Sequence, residues 1–328
     1  MTLRIGIIGS GQMARVWAEA AEVDAGCRVT AVAGGSRAPG LAAQYGAAFE
    51  PTVEALVRRS DVDAVVISTP QPTHCEYVLA AAAGRRHILC EKPMAMTIEE
   101  ADRMVEAAER AGVTFGIVSQ HRFRRTPVAA RRAITEGRIG EVRMAQVRGV
   151  LPPWQPPLAN VPWADLGMHL CDILRWLVGS DAESVSAQFA SYTDAVPPEQ
   201  TAFALYRFRS GVLAHVWFTY EIPKPGLGGN MQFLITGSEA MVDVNSYTTA
   251  RLSNADGWDV IETQPEDQPS DSRPLYMEPY GRQMIDFVEA IRTGRPTMIS
   301  GPDGRQTMAM VDGAVRSARA GGALIHLD

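Results

Sequence analysis

Apolar positions in the first 120 residues alternate between two rhythms. Short β-branched runs read as strands at Leu3 to Ile8, Arg28 to Ala33, Ala64 to Ser68, His87 to Cys90 and Thr114 to Val118. Between them, Ala-rich stretches predict helices near Met13 to Val23, Thr52 to Arg58, Pro72 to Ala83 and Thr97 to Ala111. The last opens on Thr97-Ile98-Glu99-Glu100, a capping box in which two side chains satisfy free backbone N–H groups. The alternation predicts a parallel sheet covered by helices.

After Val118 the rhythm changes. Thr126-Pro127 starts a helix that ends near Gly137, with proline at its first position. Strands then dominate: Val142 to Val150, Glu183 to Tyr192, Ala202 to Phe208, Leu213 to Tyr220 and Met231 to Thr236. Ser210-Gly211 separates two of them as a hairpin turn would. This spacing predicts a large, mostly antiparallel, open sheet. Helices interrupt or close it at Leu166 to Leu177, Tyr280 to Thr293 and Asp303 to Ala320, and the proline-rich stretch Leu151 to Pro162 reads as a rigid loop beside a pocket. The expected fold is α/β: a Rossmann domain over 1–122, then an α+β substrate and oligomerisation domain over 123–328, with a cleft between them.

Composition narrows the function. A net charge of −6 and a pI near 5.6 provide no basic field for nucleic acid or an anionic membrane. The apolar run at Ile5 to Ile8 is too short to span a bilayer. Cys27, Cys75, Cys90 and Cys171 are scattered without metal or disulfide spacing, which fits a reducing cytoplasm. Of 31 cationic residues only Lys92 and Lys224 are lysine, so each stands out. Lys224 lies in a Pro/Gly loop, Pro223 to Gly229, that suits either a cover over an active site or a contact with a partner subunit.

Gly9-Ser10-Gly11-Gln12-Met13-Ala14 follows a strand and opens a helix, as a dinucleotide fingerprint requires. Gly9 permits the tight turn, Gly11 lets backbone approach a pyrophosphate beside Gln12 and Met13, and Ala14 allows close packing of helix on strand. The helix N-terminus then faces the phosphates. At the end of the second strand, where NAD enzymes usually carry an acidic residue, the chain reads Gly34-Gly35-Ser36-Arg37, with no Asp or Glu from Ala25 to Phe49. Ser36 and Arg37 suit a 2′-phosphate, which favours NADP over NAD. The alternative is a solvated Arg37, with backbone groups holding an NAD ribose.

Ser68-Thr69-Pro70-Gln71-Pro72-Thr73-His74, Cys90-Glu91-Lys92-Pro93 and Asp165-Leu166-Gly167-Met168-His169-Leu170-Cys171-Asp172 together resemble the glucose-fructose oxidoreductase and inositol dehydrogenase (Gfo/Idh/MocA) family, and the likeness covers nearly the whole chain. The resemblance implies that Thr69, Pro70 and His74 line the cofactor, that Glu91-Lys92-Pro93 sits near the nicotinamide with Gln120 close by, and that Lys92, Asp165 and His169 carry the chemistry. Where the family often has glycines before Asp165, this chain has Val161-Pro162-Trp163-Ala164, which alters one wall of the substrate pocket.

Oxidising a secondary alcohol needs a hydride acceptor and a base for the hydroxyl proton. A buried lysine can serve as that base, whereas arginine stays protonated. Asp165 and His169 lie one helical turn apart, so Asp165 can orient an imidazole that binds or relays the proton. Asp172 shares their face; a metal site there is the competing reading, disfavoured because no second histidine has ligand spacing. Trp154 and Trp163 can stack on a ring or simply pack. Arg122, in His121-Arg122-Phe123-Arg124-Arg125, can bind an anionic substrate or pair internally, and pairing is the favoured reading. The expected activity is a dehydrogenase or reductase acting on a sugar, inositol or cyclic polyol or diol, in a homodimer or homotetramer, with no metal. A redox-neutral enzyme with tightly held NAD(P) and a non-catalytic dinucleotide sensor are the alternatives.

Overall fold

The computed structural model of the chain describes residues 2–22, 26–151, 162–194, 199–224, 226, 231–264 and 273–327. They fall into two compact units: Met1–Gln120 with Asp271–Arg305, and His121–Ser270 with Gln306–Asp328. In chain order the first unit contains β1 (Leu3–Ile8), α1 (Gln12–Glu22), β2 (Cys27–Ala33), α2 (Ala38–Gln44), β3 (Ala48–Glu50), α3 (Val53–Arg58), β4 (Ala64–Ile67), α4 (His74–Ala83), β5 (His87–Cys90), α5 (Ile98–Ala111) and β6 (Phe115–Ile117).

These six strands form one parallel sheet in the order β3-β2-β1-β4-β5-β6. This is the doubly wound dinucleotide-binding order, which reverses direction between β1 and β4. The strands are apolar throughout because both faces are covered. Ile5 and Ile7 of β1 join the cluster that includes Trp17 of α1 and Leu41 of α2. On the opposite face, a Cβ added at Gly6 would lie 2.6 Å from Leu56 of α3. At the α5 cap, Thr97 Oγ1 accepts from Glu100 N at 3.2 Å, while the Glu100 carboxylate accepts from Met96 N at 2.9 Å, one residue before the partner a capping box uses. The sequence pattern missed α2 and β3, which are only 7 and 3 residues long.

The second unit continues with α6 (Arg125–Thr135), β7 (Val142–Val150), α7 (Pro162–Val178), β8 (Ala182–Ala190), β9 (Thr201–Phe208), β10 (Leu213–Thr219), β11 (Met231–Gly237), β12 (Met241–Asn245), β13 (Thr249–Asn254) and β14 (Gly257–Thr263). The chain closes with α8 (Arg273–Thr293), α9 (Gly301–Arg319) and β15 (Ile325–His326). A nine-stranded sheet runs β14-β13-β12-β11-β7-β10-β9-β8-β15, antiparallel except between β7 and β10. α7 lies close over β7 because Gly149 leaves room: a Cβ there would sit 2.6 Å from Leu170.

The expected second domain, 123–328, is corrected at α8. Tyr280, Met284, Phe287 and Val288 make an apolar helical stripe that packs into the cluster around Trp17, so this helix belongs to the first unit. The stripe shows in the sequence; the core it enters does not. Among the described residues no helix is long and apolar enough to cross a membrane.

Candidate active site

Strand register assembles the site in the first unit. Ile8 pairs with Ala33 and Ile67, Ile67 pairs with Cys90, and Cys90 pairs with Ile117. The residues that follow, Gly34, Gly9, Ser68, Glu91 and Val118, therefore leave the sheet at one level, at its carboxyl edge. Ligands of open α/β sheets bind beyond this edge, at the reversal of strand order.

The two fingerprint glycines serve different needs. Gly9 has φ +122°, and a Cβ on it would lie 2.6 Å from the carbonyl oxygen of Ser68. Backbone conformation and the close approach of β4 both demand glycine. Gly11 is not in the left-handed region, and a Cβ there would meet nothing within 4 Å. No packing among the described residues requires a glycine at that point, which is what close approach of a pyrophosphate to the N-terminus of α1 would need. Ala14, one turn on, is fully buried. Gln12 is exposed and Met13 half-buried at the helix start, while Ser36 and Arg37 are exposed after Gly34 and Gly35, which have φ of +85° and +81°. Among the described residues Arg37 has no ion-pair partner. These groups fit a dinucleotide.

The Lys92 turn is held from both sides. Lys92 itself is half-buried and its peptide bond to Pro93 is cis. Glu91 is buried; Trp17 Nε1 donates to its Oε1 at 2.7 Å and Lys92 N to its Oε2 at 3.2 Å. Burial raises the Glu91 carboxyl above its ordinary range, while the Trp17 bond and the Lys92 and His74 charges oppose the shift. His74 is also buried, with its ring nitrogens 2.9 Å from the Pro93 carbonyl and 2.8 Å from the Thr69 carbonyl. The side chains of Glu91 and His74 are thus hydrogen-bonded inside the fold on either side of Lys92. Thr69 is half-buried and Pro70 exposed; Gln120 begins a short 3-10 turn, Gln120–Phe123.

In the second unit α7 carries Asp165 and His169 one turn apart. Asp165 is half-exposed and His169 is buried. The His121 ring lies edge-on to His169, with centroids 4.7 Å apart, and Tyr247 lies edge-on to His121 at 5.6 Å. Burial, reinforced by the Asp165 and Tyr247 charges, pushes the Tyr220 phenol well up, so it stays protonated. His121, Tyr220 and Tyr247 were missed because no sequence spacing links them to α7. Among the described residues no group of three or more His, Cys, Asp or Glu is placed to hold a metal ion.

Of the two readings open for Arg122 and for Trp163, the fold bears out the internal one, pairing for Arg122 and packing for Trp163. Arg122, 2% exposed, donates from Nε to Asp172 Oδ2 at 2.9 Å and from Nη2 to Oδ1 at 2.6 Å, a bidentate buried pair. It is committed to Asp172, as is Thr307, whose hydroxyl lies 3.3 Å from Oδ1. Trp163 is fully buried, donates from Nε1 to the Val311 carbonyl at 3.2 Å, and packs on Phe189 and Phe218. It is core, with Gly167 one turn on making space for its ring: a Cβ at 167 would lie 2.8 Å from it. That Trp-Gly pair at i and i+4 was the readable signal. Trp154 and most of the proline-rich loop lie outside the described residues.

A doubly wound sheet with a glycine turn at its switch point and a lysine turn at the adjoining edge defines a dinucleotide-dependent oxidoreductase of the Rossmann class. Comparison with known proteins agrees. The oxidoreductase family with an NAD-binding Rossmann fold matches residues 3–119, and the GFO/IDH/MocA C-terminal domain matches residues 128–243. The chain belongs to the Gfo/Idh/MocA oxidoreductase family. It is 32% identical to 1,5-anhydro-D-fructose reductase of Ensifer adhaerens over 341 residues, covering 97% of each chain. It is 28% identical to inositol 2-dehydrogenase of Rhizobium meliloti (strain 1021) over 337 residues, again covering 97% of each. The crystal structure of an oxidoreductase from Agrobacterium radiobacter, in complex with NAD+, L-tartaric acid and magnesium, shares the fold with a TM-score of 0.89 at 22% identity, covering 99% of this chain and 98% of that one.

The two glycines are separable by experiment. Gly9→Ala is expected to lower stability by roughly 2–4 kcal/mol through backbone strain and overlap with Ser68. Gly11→Val should leave the melting temperature within about 2 °C of wild type while weakening dinucleotide binding, measured by fluorescence titration. A Gly11→Val protein that binds NAD(P) as well as wild type removes Gly11 from the site.

Proposed function

We propose that this chain interconverts a secondary alcohol and the corresponding ketone on a sugar, inositol or related cyclic polyol or diol, with NAD or NADP as redox partner. The observation that carries the reading is the meeting, at one sheet edge, of a glycine turn open to a pyrophosphate and a lysine turn anchored from both sides. A bound dinucleotide supplies the two-electron acceptor or donor. Gly11, Gln12 and Met13 at the start of α1 bind its phosphates through backbone N–H groups and the helix dipole. Lys92 takes the hydroxyl proton as the alcohol is oxidised and returns it in reduction. His169 and Asp165 take part in binding and relaying that proton, with Tyr220, kept protonated, as a further hydroxyl donor. Relatives named for inositol and anhydrofructose support a ring substrate rich in hydroxyl groups.

Exposed Ser36 and Arg37, with no acidic residue from 25 to 49, favour NADP over NAD. All four cysteines are buried free thiols, which supports a reducing, cytoplasmic setting. The chain works as a homodimer or homotetramer in this reading. Phe203 and Leu205 of β9 and Leu213 of β10 expose large apolar side chains on one face of the nine-stranded sheet, and Trp217 stacks on Phe203 there with ring planes 7° apart. A second copy is the natural cover for such a surface.

In a spectrophotometric screen of polyols, sugars and cyclic diols with both cofactors, at least one substrate should accumulate NAD(P)H in proportion to its consumption. Lys92→Ala and His169→Ala should each lower kcat by about 100-fold or more; unchanged turnover in both sinks the assignment. Arg37→Ala should weaken NADP about tenfold more than NAD, and equal weakening would exclude contact with a 2′-phosphate. Sedimentation should show a dimer or tetramer that Leu205→Arg converts to monomer; a wild-type monomer overturns the assembly.

A further inference from the structure

Glu91 immediately precedes Lys92, yet its side chain turns into the core and meets α1, the helix whose first residues form the proposed phosphate site. Its two carboxylate oxygens are divided between two elements. Oε1 accepts from Trp17 Nε1 at 2.7 Å, and Oε2 accepts from Lys92 N at 3.2 Å. Trp17 has no exposed surface and packs edge-on to Tyr280 of α8 with ring centroids 5.3 Å apart, so its indole cannot follow a moving carboxylate. Two residues beyond Glu91, the Pro93 carbonyl is held by His74. Lys92 is therefore the one residue between two anchors, and one anchor is a direct bond to the phosphate-binding helix.

We infer that the Glu91 carboxylate, through its two hydrogen bonds to Trp17 Nε1 and Lys92 N together, joins the dinucleotide-binding helix and the Lys92 turn into one rigid element, making Trp17 and Glu91 positioning residues for Lys92. A hydrogen bond buried among apolar groups has no competing water, and breaking it leaves an unpaired buried group, so the two elements shift together or not at all. The requirement is for a carboxylate: a glutamine at 91 has a single acceptor oxygen, and serving Trp17 with it would turn its NH2 group toward the Lys92 N–H. The inference rests on Lys92 being the proton-handling residue proposed above.

The chain's lysine content supplies a test that needs no substrate. With only Lys92 and Lys224 present, mild acetylation followed by peptide mass spectrometry gives the Lys92:Lys224 labelling ratio in the full-length protein, with exposed Lys224 as internal standard. Trp17→Phe keeps the aromatic ring and deletes the donor; Glu91→Gln keeps the Trp17 bond and deletes the Lys92 bond, and serves if the first variant does not fold. Each should raise the ratio about threefold or more by releasing the turn. Val16→Ala, which thins the same apolar cluster one position away on α1, should lower the melting temperature without changing the ratio. An unchanged ratio in both link variants, or an equal rise in Val16→Ala, overturns the inference. Full turnover in Lys92→Ala would instead remove the catalytic reading, while a ratio that still rises would leave the mechanical link standing.

Discussion

At the carboxyl edge of the six-stranded sheet two strand ends approach more closely than any side chain allows. β1 and β4 are neighbours in the order that reverses between them, and Gly9 meets the Ser68 carbonyl where they leave the sheet. The contact excludes a Cβ, and with φ at +122° it turns the chain directly into α1. The layout of the rest of that edge follows from this point. The helix start is presented at the edge, and register carries the ends of β2, β4 and β5 to the same level. Lys92 thus reaches its position through strand pairing, with no long loop to place it. A site on a packed strand end is more precise than one on a mobile loop.

Some buried polar groups fasten the fold. Arg122 and Asp172 face each other in two hydrogen bonds with both side chains almost fully buried. Removing either partner from such a pair costs on the order of 3–5 kcal/mol, since the remaining charge cannot be solvated. Their polarity therefore says little about substrate. His169 and half-exposed Asp165, one and two turns earlier on α7, lie instead in a neighbourhood that includes His121, Tyr220 and Tyr247.

Residue patterning made the parallel strands, their covering helices, the glycine turn and the Glu91-Lys92-Pro93 step legible, because each depends on neighbours a few positions away. The apolar stripe of α8 and the Trp163-Gly167 spacing are present in the sequence as well, but as patterns without a partner. Periodicity says that a side chain is buried without saying against what. By periodicity alone Trp163 fits a pocket wall as well as a core, and α8 fits the unit that surrounds it in the sequence.

What the amino-acid order determined by itself is local: strand and helix identity, the turn that only glycine can make, and the presence of a lysine where arginine is otherwise used. What the tertiary structure alone decided is partnership. Glu91 is committed to Trp17 across 74 positions and Arg122 to Asp172 across 50, while His121 is brought to His169 and Tyr247 from separate elements. These pairings depend on register and on the path of the chain through space. A hydrogen bond between distant residues forms wherever packing brings donor and acceptor together, and local spacing carries no record of it.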